Sequence, residues 1–304
     1  MLHISAQDVA NLVSPADAVK CIHETLAAGF DPAQDFARDA KPVPGGEFLL
    51  MPSASTAGFG VKLVSVADPD PNFTGPRIQG TYVLFDGATL APHATIDGVA
   101  LTNLRTPAAS LAGVRDFLAD SPAPLSAVVI GTGPQGRWHA RTLEDMLRGT
   151  REVAITFASR TRPADLDRWV RMGSPEAAAA LSTADVIITT TTSTTPVISR
   201  KDISDTAIVV AVGSHSPQAR ELAADILADA TVIVEDKATA LREAGDVVLA
   251  IEDSALSGED LVEIKDVLCQ RSTVSLKAPI VFKTTGMAWQ DLVIAQLIAQ
   301  RYAH

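Results

Sequence analysis

Apolar positions recur along this chain with two periods, and the change from one to the other divides it. Over residues 6–30 (AQDVANLVSPADAVKCIHETLAAGF), Val9, Leu12 and Val13, then Val19, Ile22 and Leu26, fall at helical spacing. Ser14 and Pro15 sit where an N-cap and first helical residue belong, so one or two helices are predicted there. Four runs with strand character follow: EFLLMPS, GVKLVSVA, GTYVLFD and HATIDG. Proline and glycine clusters such as PDPNFTGPR separate them, which predicts an antiparallel sheet or partial barrel. Residues 105–119 (RTPAASLAGVRDFLA) read as a helix, closed by the linker SPAPL at 121–125.

Past the linker the pattern becomes short, fully apolar runs alternating with helical stretches. SAVVI, VAITFAS, ADVIITTTTS, AIVVAVGS and TVIVED are the strands. Strands alternating with helices predict an α/β fold with a parallel, doubly wound Rossmann sheet. The segment between Arg160 and Asp185 is short for a full unit, so one strand or helix there is expected to be trimmed. The chain ends in an apolar helix of about 15 residues, which needs a partner surface and is expected to pack back on the first part. The predicted division is residues 1–120 with 283–304 as an α+β substrate-binding and dimerisation domain, and 121–282 as the dinucleotide-binding domain.

Composition narrows the function. The chain has 304 residues, is 47% hydrophobic and 5% aromatic, and carries a net charge of −11. An acidic, aromatic-poor surface repels phosphate backbones, so nucleic acid is not an expected partner. No apolar run approaches the ~20 residues that cross a bilayer, and the N-terminus lacks the basic and apolar regions of a signal peptide. Cys21 and Cys269 form no paired motif and read as reduced thiols, so a cytoplasmic protein is expected. Histidines and acids do not converge at metal-ligand spacing, so no metal is expected.

Gly131, Gly133 and Gly136 spell GxGxxG between the strand AVVI and a helix. The first glycine permits the tight turn and the second lets the backbone approach a pyrophosphate. The third brings strand and helix close, and the phosphates meet the positive helix end. The whole turn, with Thr132, Pro134 and Gln135, is therefore a dinucleotide site. The following strand ends at Ser159 with Arg160, Thr161 and Arg162 and no carboxylate, which suits a ribose 2′-phosphate and favours NADPH over NADH. In an acidic protein an anionic substrate needs placed cations, and Arg38, Lys62 and Arg105 are the candidates. Arg105, read as standing at a helix start beside Thr106, is the most telling.

GGEFLLMPS, FGVKLVS, LTNLRTPAAS, VIGTGPQG, VGSHSPQAREL, EAGD at 243–246 and FKTTGMAWQDL follow one another in an order that resembles the ornithine cyclodeaminase/mu-crystallin family over nearly the full chain. The resemblance implies a homodimer joined through the substrate domain. It implies that Arg38, Lys62 and Arg105 hold the substrate carboxylate, and that Thr191, Ser193 and Gly213 line the nicotinamide side. Two departures stand out. Cyclodeaminases carry an aspartate where this chain has His215, and a glutamate where it has Leu49; Glu47 is an imperfect replacement two positions away.

Ring closure with loss of ammonia needs that aspartate. Without it the simpler half remains: hydride transfer to a C=N carbon beside a carboxylate, with a proton delivered to nitrogen. The resemblance then implies NAD(P)H-dependent reduction of a small cyclic imino acid, Δ1-pyrroline-2-carboxylate or Δ1-piperideine-2-carboxylate. His215 can supply or steer the proton. Lys62 can equally do so, because burial among arginines lowers its pKa. Cyclodeamination of ornithine or lysine, alanine-type dehydrogenation, and NADPH-dependent ligand holding without turnover are the other readings left open.

Overall fold

The computed structural model describes residues 1–68, 74–119, 121–269 and 279–303. Residues 69–73 of the first linker, Asp120 at the expected domain boundary, and 270–278 lie outside the described residues.

The first sheet has six strands: β1 (Leu2–Ile4), β2 (Asp39–Val43), β3 (Gly46–Ser55), β4 (Gly58–Ala67), β5 (Ile78–Asp86) and β6 (Pro92–Asp97). Their order is β1-β6-β5-β4-β3-β2, antiparallel throughout except that β1 runs parallel to β6. It is an open sheet. Helices α1 (Ala6–Leu12) and α2 (Pro15–Ala27) begin at Ser5 and Ser14, each in a reciprocal capping box, with Asp8 and Asp17 three residues on. Then come α3 (Gly98–Ala112) and the short α4 (Arg115–Ala119).

The helix expected at 105–119 therefore starts seven residues early. Asp97 caps it by accepting from the Ala100 amide at 2.8 Å, so strand β6 runs straight into α3. Thr106-Pro107 looked like a helix start because proline favours the first turn. Here Pro107 lies inside the helix, so Arg105 is a mid-helix residue and gains nothing from a helix N-terminus.

The second sheet has eight strands: β7 (Leu125–Ile130), β8 (Val153–Ser159), β9 (Trp169–Arg171), β10 (Val186–Thr189), β11 (Ile208–Ala211), β12 (Thr231–Val234), β13 (Val262–Glu263) and β14 (Ile280–Lys283). All are parallel, in the order β13-β12-β14-β11-β10-β7-β8-β9. The order reverses between β7 and β10, the crevice where open α/β sheets bind ligands. Helix α5 (Pro134–Leu147) follows β7; α6 (Pro175–Ser182), α7 (Ala224–Asp229), α8 (Lys237–Glu243), α9 (Gly245–Glu252) and α10 (Ile264–Leu268) complete this part. Residues 160–168 join β8 to β9 without a helix, so the trimmed element is a helix and the strand survives.

Alternate residues of the parallel strands face opposite ways, and each set has its own core. Ala127, Val129, Ile188, Val210 and Phe282 join one apolar cluster with residues of α2, α3, α5, the first sheet and the last helix, α11 (Ala288–Tyr302). Val128, Ile130, Ile187, Val209 and Val281 join a second cluster with Ile226, Ala240 and Val247. The α2, α3, α5 and α11 layer thus lies between the two sheets, and α11 packs on α2, α3, β3 and β4 as its apolar character required. Among the described residues no helix is long and apolar enough to cross a membrane.

His139 of α5 is fully buried in this middle layer, contacting Gln135 O at 2.7 Å and Ser110 Oγ of α3 at 3.1 Å. Burial lowers its pKa from 6.5 to about 4. The unfolded chain then binds one more proton than the folded one between those values, so stability is lost as pH falls from 6.5 towards 4. The expected loss is on the order of 3 kcal/mol. Urea midpoints of the protein and of His139→Gln should converge as pH falls from 7 to 4.5; a constant gap would rule this contribution out.

Candidate active site

The glycine turn leaves β7 as its sequence requires. Gly131 has φ +114°, and a Cβ there would stand 2.6 Å from Thr190 Oγ1. A Cβ on Gly136 would stand 2.1 Å from Gly131 O, so helix and turn approach as only glycine permits. Gly133 is the N-cap of α5 and faces open space, with Pro134 in the first turn and no side-chain cap on the free amides. A groove of about 880 Å³ runs from this turn past Ala158, Ser159 and Arg160 to Thr191, Ser193 and Pro196. A dinucleotide fits this cradle. Thr132 O accepts from Arg137 Nε at 3.0 Å, and Gln135 Nε2 donates to Asn103 Oδ1 of α3 at 3.2 Å.

At the groove's far end Ser159 Oγ donates to Thr161 O at 2.7 Å and accepts from Trp169 Nε1 at 2.8 Å. Arg162 lies over the Trp169 ring at 5.9 Å. Asp165, in the same loop, is taken by Arg137 in a two-pronged pair of 2.7 and 2.8 Å. Arg160 lines the groove itself.

Thr191 and Ser193 lie just beyond β10, in the loop after it. Their anchor is Glu221, fully buried, which accepts from Thr189 Oγ1, Thr191 N, Thr191 Oγ1 and Gly213 N at 2.6–2.7 Å. Gly213 can only be glycine, since a Cβ would meet Thr191 O at 2.1 Å. Behind Glu221, Asp246 accepts from the Glu221 and Leu222 amides and pairs with Lys283 at 2.9 Å. Lys283 in turn donates to Ser214 O at 2.7 Å. These four residues fix the loop that presents His215.

Lys62 projects from β4, 2% exposed, and Arg105 from α3, 6% exposed. Both converge on Asp291 of α11: Lys62 Nζ lies 2.8 and 2.9 Å from its carboxylate oxygens and Arg105 Nε 3.2 Å from one of them. Arg105 Nη1 also donates to Gln290 Oε1 at 3.0 Å, and Gln290 bonds Glu235, which accepts from the Thr285 and Gly286 amides. Gly286, with φ +80°, lets the chain pass beneath the guanidinium; a Cβ would stand 2.5 Å from Nη1. Burial and the Arg105 charge lower the Lys62 pKa to about 8 against the opposing pull of Asp291. Arg38, just before β2, forms an ion pair with Glu243 of α8. Burial pushes the Glu243 carboxyl up, but the Arg38 pair outweighs it and leaves its pKa below the ordinary value.

His215 lies close enough to Arg38, Lys283 and Glu47 to feel all three charges. Its side chain retains open surface, yet the atoms crowded around it and the Arg38 charge lower its pKa. The imidazole is neutral at pH 7. Glu47 shares the Lys62 face of the first sheet, because Glu47 and Met51 are four residues apart on β3 and Met51 pairs with Lys62. Residue reading alone passed over Asp291, Gln290, Glu235 and Glu221. Two of them stood in the quoted run FKTTGMAWQDL, where a carboxylate inside an otherwise apolar helix face was the available signal.

A doubly wound dinucleotide-binding sheet facing a cationic site on an antiparallel sheet defines a two-part α/β protein built to hold a nucleotide beside a small acid. The family model for the ornithine cyclodeaminase/mu-crystallin family matches residues 4–304, and the chain belongs to that family. The ketimine reductase mu-crystallin of Mus musculus is 33% identical over 260 residues, 82% of this chain and 78% of that protein. The Δ1-pyrroline-2-carboxylate reductase of Bacillus cereus is 30% identical and covers 99% of this chain and 96% of its own length. The fold matches that of Thermococcus litoralis Δ1-pyrroline-2-carboxylate reductase, solved with NADH and L-proline: TM-score 0.86 at 22% identity, covering 100% of this chain and 98% of that one.

Proposed function

We propose that this protein is an NAD(P)H-dependent reductase of a small cyclic imino acid, giving the cyclic amino acid. The observation that carries the reading is the buried convergence of Lys62 and Arg105 beside the switch-point groove. A carboxylate ligand finds Arg105 as a planar donor and Arg38 across the cleft. Lys62, with a pKa of about 8, is charged at pH 7 and close enough to neutrality to be a good acid, so it protonates the imine nitrogen. The neutral His215 shapes the opposite wall. A reduced nicotinamide bound over the Gly131–Gly136 turn supplies the hydride.

The 2′-phosphate of NADPH is read by Arg160 and Arg162, with Ser159 and Thr161 framing the loop. Replacing both arginines by alanine should weaken NADPH binding roughly ten- to a hundredfold while NADH changes little. Fluorescence titration with each nucleotide measures this, and an equal loss for both would end the assignment. Residues 1–120 with 283–304 form the substrate unit, and 121–282 the nucleotide unit. The outer face of the first sheet, with half-exposed Leu50, Phe59, Val61, Leu63, Val83 and Phe85, supports a homodimer; light scattering reads the mass.

The activity test mixes protein, NADPH and Δ1-pyrroline-2-carboxylate or its six-membered homologue and follows nicotinamide absorbance. Oxidation with either imine is expected. Ammonia release from ornithine, without imine reduction, would replace the reductase reading with the lyase one.

A further inference from the structure

The register of the first sheet gathers hydroxyls behind Lys62. Lys62 pairs directly with Tyr82, and Gly60 with Ser53, so all four share the face that meets α11. Gly60 has no side chain, and Tyr82 occupies that space: a Cβ on Gly60 would stand 2.4 Å from Tyr82 Oη. The phenol hydroxyl therefore lies over Gly60, next to Ser53. Ser53 in turn lies against Asp35, whose carboxyl it influences, and Asp35 Oδ2 accepts from the Trp289 amide at 2.8 Å. Asp291, the partner of Lys62, stands two residues further along α11. The phenol feels both carboxylates.

Three polar atoms of this group, Tyr82 Oη, Ser53 Oγ and Asp35 Oδ1, are buried with no hydrogen-bond partner among the described residues. Tyr82 is 0% and Ser53 1% exposed. Native cores rarely leave even one such atom unmatched, and three around one lysine require an explanation. Asp35 is only partly buried and adjoins exposed Phe36, so the group reaches solvent at that end.

We propose that Asp35, Ser53, Tyr82 and Asp291 form a proton relay that recharges Lys62 from the side of the sheet remote from the nucleotide groove. The inference rests on Lys62 being the acid of the proposed reduction. Each turnover moves one hydride to the imine carbon and one proton from the Lys62 ammonium to nitrogen, leaving a neutral amine. With product and nucleotide filling the cleft, and Lys62 only 2% exposed, the replacement proton enters at Asp35. It passes by hydroxyl hops through Ser53 and Tyr82 to the Asp291–Lys62 pair, so one proton enters for each consumed. Burial holds the Asp35 pKa above the ordinary value, which helps it pick up a proton from water.

The test compares the first and later turnovers of the full-length protein with NADPH and Δ1-pyrroline-2-carboxylate by rapid mixing. In Tyr82→Phe and Asp35→Asn the first turnover, which uses the proton already on Lys62, should keep its rate and amplitude. Steady-state turnover should fall about tenfold or more, with an enlarged solvent deuterium isotope effect. Unchanged steady-state rates in both variants, or first turnovers slowed as much as later ones, would overturn the relay. A Lys62→Met variant whose first turnover is intact would instead refute Lys62 as the acid, and the relay would fall with it.

Discussion

Lys62→Met should lower kcat by roughly a hundred- to ten-thousandfold, the range a positioned general acid contributes. Methionine keeps the length of the side chain, so Gly60 and Tyr82 need not repack, and circular dichroism should show an intact fold. The unmodified protein should lose kcat/KM as pH rises through about 8, because the reaction needs the ammonium and the lowered pKa brings its titration into that range. The sign is diagnostic. If His215 were the acid, its lowered pKa would put the loss below the ordinary histidine range, on the acid side of neutrality. Initial rates across pH 5–10, with the variant as baseline, separate the two.

Asp291→Ala should be the most destabilising single change in the site. Asp291 is fully buried and is the carboxylate on which both Lys62 and Arg105 converge. Removing it leaves two cations close together without their counter-charge, and breaking a buried ion pair costs about 3–5 kcal/mol. Urea unfolding at pH 7 measures the loss. Raising the pH should recover part of it, because Lys62 can shed its charge and Arg105 cannot. A midpoint within experimental error of the parent would show that neither cation depends on Asp291.

The two sheets were legible because alternation and continuous apolar runs are local properties. GVKLVSVA on β4 has one inward and one outward face, whereas VVI on β7 is buried on both. The missing helix between β8 and β9 was legible too, since 160–168 is simply too short for one. The start of α3 was not, because an interior proline and a first-turn proline look alike without the cap at Asp97 in view. The glycine turn and the cations Lys62 and Arg105 followed from their own neighbours in the chain. Their counter-charges did not: Asp291 lies 229 residues from Lys62 and 186 from Arg105. A pairing of that span is set by the topology that lays α11 across β4.

The passage from β14 to α11 is only four residues long, Thr284 to Met287. It carries Lys283 on one side and Gln290 and Asp291 on the other, so the anchor of the His215 loop and the anchors of Lys62 and Arg105 are successive points on one strut. Glu235 of the parallel sheet grips that strut at Thr285, Gly286 and Gln290. Such a corner acts as a pivot: relative motion of the two halves is smallest there and grows with distance from it. Arg38 and Glu243 join the halves by a single ion pair that an incoming carboxylate can displace. The cleft therefore opens like a clasp on the Arg38 side, with the acid and the hydride face held in register throughout.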